Sequence, residues 1–138
     1  MTKIAPFVAL FLVMLCQAVA AQPANGSTNY VLNICAESAK EHRAGETASA
    51  TYLSDSSFCA GFMIASAQAY LNDLRIASNG TFSSSAQCLY NAVSGASPLQ
   101  VTVIFVRYAT SNPQTWSLSA YSVVVQAIND AFSRLCPK

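Results

Sequence analysis

The chain of 138 residues is weakly charged, with seven Lys or Arg against six Asp or Glu, and a formal net charge of +1. That balance leaves no electrostatic footprint for nucleic acid and no polybasic patch for an anionic membrane. Five cysteines and one histidine make thiol pairing a better use of sulfur than a metal cluster.

Lys3 gives a minimal positive start, and Ile4 to Cys16 form an apolar run interrupted only by Pro6. Ala18-Val19-Ala20, followed by Ala21, supplies the small residues a signal peptidase needs. The run is shorter than the roughly 20 apolar residues of a membrane span, so a cleaved signal over residues 1–21 is expected, with no stable membrane anchor. Leu15 before Cys16 is bulkier than the residue that usually precedes a lipid-modified cysteine. Residues 22–138 then form a single helical domain whose basic and acidic residues cancel, six against six once Lys3 is removed. Four cysteines remain, Cys35, Cys59, Cys88 and Cys136, and an even count in a short exported chain reads as a disulfide framework.

Gln22 to Thr28 is a polar leader, after which Thr28 or Asn29 caps a first helix running to about Arg43, with Val31, Cys35 and Ala39 on one face. Gly45 and the Glu46-to-Ser57 stretch read as a polar loop in which Ser54, Asp55 and Ser56 compete as caps. The second helix is predicted from about Phe58 to Ser78, its stripe formed by Phe62, Ala65, Ala69 and Ile76 and bordered by Cys59, Met63, Ser66 and Tyr70. Asn79-Gly80 ends it as a left-handed cap. Thr81 to Ala86 is a serine-rich loop holding Phe82, and Cys88 to Val93 a short helical turn stopped by Gly95.

Ser97-Pro98 is a cap followed by proline at the first helical position, and the third helix carries Val101, Ile104, Phe105 and Tyr108 inward. Asn112-Pro113 repeats the signal and opens a fourth helix that presents Trp116, Ala120, Val123, Val124, Ala127, Ile128, Ala131 and Leu135. The fold class expected is all-α, a small disulfide-stapled bundle of four main helices. Four cysteines allow three connectivities. A short turn between the last two helices makes them antiparallel, which brings Cys88 near Cys136 and leaves Cys35 for Cys59. The shorter closure is worth about 3 kcal/mol and the longer about 4 kcal/mol in the loop-entropy model.

Chemistry is sparse. His42 stands between Glu41 and Arg43 at a helix end, where it serves the helix dipole better than catalysis. Glu37 and Glu41 lie one turn apart, but Lys40 and Arg43 around them make a solvated, ion-paired face the better reading. No base is specified for the many serines and no glycine-rich phosphate loop is present, so no catalytic residue, metal or cofactor is expected. Asn25-Gly26-Ser27 and Asn79-Gly80-Thr81 match the glycosylation acceptor pattern, which matters only in a eukaryotic source. The aromatic residues Phe58, Phe62, Tyr70, Phe105, Tyr108, Trp116 and Phe132 fill a core or, alternatively, line the apolar pocket of a small secreted carrier. A periplasmic chaperone is a further alternative, although few ionisable groups exist to drive an acid switch.

Cys59-Ala60-Gly61-Phe62 resembles the Cys-x-Gly-aromatic opening of the second helix in the Rap1a/Tai family of immunity proteins. Gln100, the Val103-to-Tyr108 segment and Asn112-Pro113 resemble that family's next block. Ala120, Val124, Ala127, Ala131-Phe132 and Cys136 resemble its closing helix. A departure falls at Cys88-Leu89-Tyr90, where the family often has proline two residues after the cysteine. The resemblance implies a periplasmic or secreted all-helical protein, often a homodimer, whose partner is a peptidoglycan amidase effector of type VI secretion. An inhibitor of that kind needs a rigid body and a projecting loop. The expected partner-binding residues are Phe82, as apolar anchor, with Ser83, Ser84 and Ser85 around it.

Overall fold

The computed structural model describes residues 26–40 and 49–136. The expected signal segment, the leader before Gly26, and Glu41, His42, Arg43 and Glu46 lie outside them. Among the described residues there are five α-helices: α1 (Thr28–Ser38), α2 (Ala50–Ala77), α3 (Ser84–Ser94), α4 (Pro98–Ser111) and α5 (Ala120–Phe132). Short 3₁₀ turns at Pro113–Thr115 and Ser133–Leu135 flank α5. The chain is all-α, as its periodicity requires.

Serine starts every helix. Ser27, Ser49, Ser83 and Ser97 each accept a hydrogen bond from the backbone N–H three residues on, at Tyr30, Tyr52, Ala86 and Gln100. Each such cap is worth about 1 kcal/mol. At α4 the Gln100 side chain also accepts from the Ser97 N–H at 2.8 Å, which completes a capping box around Pro98. Asn79 and Gly80 take positive φ values of 48° and 79° after α2, the left-handed stop their sequence promises.

Four element boundaries differ from the sequence reading. α1 is capped by Ser27 rather than Thr28 or Asn29 and ends at Ser38, not near Arg43, with Ala39 as its C-cap. α2 begins at Ala50, not Phe58, because Ser49 caps it and the serines beyond are absorbed into the helix: Ser57 Oγ donates to Leu53 O at 2.8 Å, and Ser56 Oγ meets Ser38 Oγ at 3.2 Å. α3 begins at Ser84, so half of the expected Thr81–Ala86 loop is helical and Cys88 lies one turn inside α3 rather than at its start. The Asn112-Pro113 signal starts only a 3₁₀ turn, and α5 waits for Ser119. The intervening carbonyls are claimed elsewhere. Thr28 N–H and Oγ1 donate to Leu118 O at 2.9 and 3.1 Å, and Asn29 N–H donates to Trp116 O at 3.1 Å. These bonds tie the start of α1 to the approach to α5 and leave those oxygens to α1 rather than to a continuous helix.

The core takes Val31, Leu32 and Cys35 from α1, Cys59, Met63 and Tyr70 from α2, Val93 from α3, Val101, Phe105 and Ala109 from α4, and Val123, Val124 and Ile128 from α5. Phe105 is the largest side chain wholly out of solvent. α2 faces inward along the line expected only to border its stripe, whereas Ala65 and Ala69 are exposed and Ile76 is 70% exposed. The disulfides pair Cys35 with Cys59 and Cys88 with Cys136, with Cα–Cα distances of 5.4 and 5.6 Å.

The two staples differ in burial. Cys35 and Cys59 are buried, whereas Cys88 and Cys136 are half-buried. Cys88→Ala/Cys136→Ala is expected to lower unfolding free energy by about 4 kcal/mol through lost loop restraint. Cys35→Ala/Cys59→Ala closes a shorter loop but also empties two buried sulfur sites, so its loss should be larger, about 5 kcal/mol. Urea unfolding of the two double variants measures the order directly.

Candidate functional site

The connection between α2 and α3 is a tight knuckle, residues 79–83, and not an extended loop. The left-handed pair Asn79 and Gly80 reverses the chain, and Ser83 immediately caps α3. Phe82 is half-buried, its ring 5.2 Å from that of Tyr90 in a tilted contact, so it is less exposed than its polar neighbourhood suggests. Ser83 Oγ lies 3.2 Å from Ser85 Oγ, and Ser83 and Ser84 are exposed. Cys88 follows one turn later and is bonded to Cys136. The four expected partner-binding residues are therefore contiguous on one end of α3, and a covalent bond holds that helix to the end of the chain.

A second surface was not read from the sequence. Phe58 and Phe62, four residues apart on α2, stack with ring centroids 6.1 Å apart and planes inclined by 17°. Tyr30 of α1 meets Phe58 edge-on at 6.5 Å. Phe58 is 42% exposed, and Gly61 beside it has open space where a side chain would stand. The i, i+4 spacing of the two phenylalanines was the available signal, but periodicity alone could not say that this face points outward.

Other candidates settle into structural roles. Glu37 and Lys40 form an exposed ion pair at 2.5 Å, the solvated arrangement expected for that face. Trp116, expected inside the last helix and in the core, precedes α5 and is 39% exposed, with Nε1 donating to Ala109 O at 2.9 Å. The aromatic residues do not gather around one pocket: Phe105 is central to the core, while Phe58 and Trp116 lie at the surface. Among the described residues no group of three or more His, Cys, Asp or Glu side chains could hold a metal ion. No single helix among them is long and apolar enough to cross a membrane, although α3 and α4, bent by 108°, pass that test of length and composition as a pair.

Two tyrosines carry perturbed phenols. Tyr70 of α2 donates to Asn129 Oδ1 of α5 at 2.7 Å, and Asn129 Nδ2 in turn donates to Val125 O at 3.0 Å. Burial pushes the Tyr70 pKa above the usual tyrosine value. Tyr121 donates to Asp73 Oδ2 at 2.7 Å, and that bond, followed by partial burial and the Asp73 charge, raises its pKa too.

The described residues form a small all-α bundle with two staples, exposed aromatic side chains and a capped knuckle. The family model of the Rap1a immunity proteins matches residues 27–133, and the chain belongs to that family. The match begins at the Ser27 cap and ends one residue beyond α5, so it spans all five helices. No curated protein and no solved structure matches the chain. Family membership makes this an immunity protein, whose partner is a protein toxin, and the two disulfides fit an oxidising periplasmic or secreted setting.

Raised tyrosine pKa values set the sign of a pH effect. The fold prefers the neutral phenols, so their contribution is complete below the ordinary tyrosine pKa of about 10 and is lost as pH rises through the higher folded values. The urea midpoint should therefore fall between pH 8 and pH 11, and Tyr70→Phe should fall less steeply over the same interval.

Proposed function

We propose that the mature chain, residues 22–138 as one domain, is exported by its N-terminal signal and neutralises a peptidoglycan amidase delivered by type VI secretion. The observation that carries this reading is the family match across all five helices. The amidase and its delivery route come from the sequence resemblance to the Rap1a/Tai proteins. Inhibition by such a module calls for no chemistry of its own, only a surface that covers or enters an enzyme cleft. Two disulfides lower the ordering cost of presenting that surface.

Phe82 with Ser83, Ser84 and Ser85 forms the proposed contact. Phe82 rests on Tyr90 rather than projecting freely, so the anchor is a pair of rings, one just before α3 and one from its middle, beside the Ser83–Ser85 hydroxyls. Association as a homodimer is part of the same proposal. The water-facing apolar positions Phe58, Ala65, Ala69 and Ile76 of α2 lie on one side of that helix and support a further interface.

Immobilised mature protein with intact disulfides should capture a cell-wall hydrolase in stoichiometric amount and abolish its cleavage of peptidoglycan. Capture of no hydrolase, with lipid or another small molecule eluting instead, would replace this reading with that of a carrier. Phe82→Ala should weaken the captured complex by about tenfold or more, as truncation of an aromatic anchor does. An affinity unchanged within threefold would remove the anchor role but not the partner. Sedimentation equilibrium of the purified chain should give the mass of two chains, and the mass of one would end the dimer.

A further inference from the structure

A cleft of about 650 Å³ opens between α4 and the C-terminal end of α5. Its α4 wall carries Arg107, Tyr108 and Ser111, and its other wall carries Asp130, Ala131 and Arg134. The spacing on each wall is that of one helical face, with positions three and four residues apart standing above one another. The short side chain of Ala131 leaves room between the walls that a larger residue would fill.

Positive charge is concentrated here. The described cationic side chains are Lys40, Arg75, Arg107 and Arg134, and two of these four line this one cleft. Lys40 is held by Glu37, and Arg134 by Asp130 at 2.5 Å. Arg107 has no hydrogen bond or ion pair with any described residue. Tyr108 Oη is engaged only by a long bond of 3.3 Å to Gln126, and remains available to a competing acceptor.

We propose that this cleft is a receptor for an acidic peptide segment. A carboxylate of the segment takes Arg107 as a two-pronged partner, since the planar guanidinium matches carboxylate geometry. A second carboxylate displaces Asp130 from Arg134. Asp130 thus acts as an internal stand-in, keeping Arg134 paired when the cleft is empty. Assigning the segment to the toxin rests on the functional reading above. The recognition chemistry does not.

The test follows the arginine Nε–Hε signals of the disulfide-intact mature chain in NMR titrations with an acetylated hexaglutamate peptide, and with hexalysine as counterpart. Hexaglutamate should give saturable shifts at Arg107 and Arg134, with hexalysine giving none. Arg107→Gln should weaken binding about fivefold or more, through loss of the bidentate pair. Ala131→Phe, which blocks the space and keeps every charge, should weaken it comparably. Asp130→Asn should strengthen it about two- to threefold by releasing Arg134, whereas Arg75→Gln, on α2 and outside the cleft, should leave it within twofold. Shifts of equal size at Arg75, or tighter binding lost rather than gained in Asp130→Asn, would overturn the receptor. With a captured hydrolase in hand, Arg107→Glu should weaken the complex about tenfold, mainly in its association rate. An unchanged complex would separate the cleft from toxin docking. Failure to capture any hydrolase would overturn the functional reading, while the hexaglutamate titration would still decide the receptor.

Discussion

The buried bond between Cys35 and Cys59 decides which way α2 faces. A helix of 28 residues with apolar side chains on more than one side could pack in several rotations. Covalent attachment to α1 fixes one of them, with Cys59, Met63, Ser66, Ala67 and Tyr70 turned inward. Thr102 of α4 lies against the same sulfur at 3.6 Å, so the staple sits where three helices meet. The consequences run outward from that choice. Tyr70 reaches Asn129 on α5, and of the competing stripe Ala65, Ala69 and Ile76 are left to water while Phe62 is half-buried.

Much of this was legible in the sequence where a local signal and a tertiary demand agreed. Ser97, Pro98 and Gln100 specify the start of α4 by themselves, because cap, ring and return bond are all supplied within four residues. Asn79-Gly80 likewise fixes the end of α2. The disulfide pairing followed from chain direction. Serine was the residue that misled. It can cap a helix or sit inside one, and nothing local distinguishes Ser49, which starts α2, from Ser54 or Ser56, which do not. The rotation of α2 was hidden for a different reason. Two apolar lines on one helix have similar periodicity, and only the partner at Cys35 separates them.

The approach to α5 shows the opposite case, in which a clear local signal loses. Asn112-Pro113 has the form of a helix start, yet it opens only the three-residue 3₁₀ turn Pro113–Thr115. Trp116 O and Leu118 O would serve a continuing helix as acceptors. They bind Asn29 and Thr28 instead, and Ala120 N–H donates to Gly26 O at 2.8 Å from the other side. Three backbone bonds to a segment some 90 residues away outweigh one turn of helix propensity, since each helical turn gains little without a buried face. Trp116 is thereby pulled out of the helical stripe and onto the surface, tethered through its indole nitrogen to the end of α4.

For a chain this poor in charge, recognition depends on where the few polar groups are fixed rather than on how many there are. The half-buried staple at Cys88–Cys136 does that fixing. It clasps α3 six residues after Phe82, and it clasps the end of the chain two residues after Arg134. The knuckle and one wall of the arginine cleft are therefore coupled through a single covalent bond. A free helix end carrying Arg134 would fray, because the terminal carbonyls of a helix have no internal partners and its last turn is the least stable. Closing that end with a disulfide restrains the backbone that carries Arg134. Any ligand at either surface would meet a backbone whose ordering is already largely complete, which is the condition under which a small interface can bind tightly.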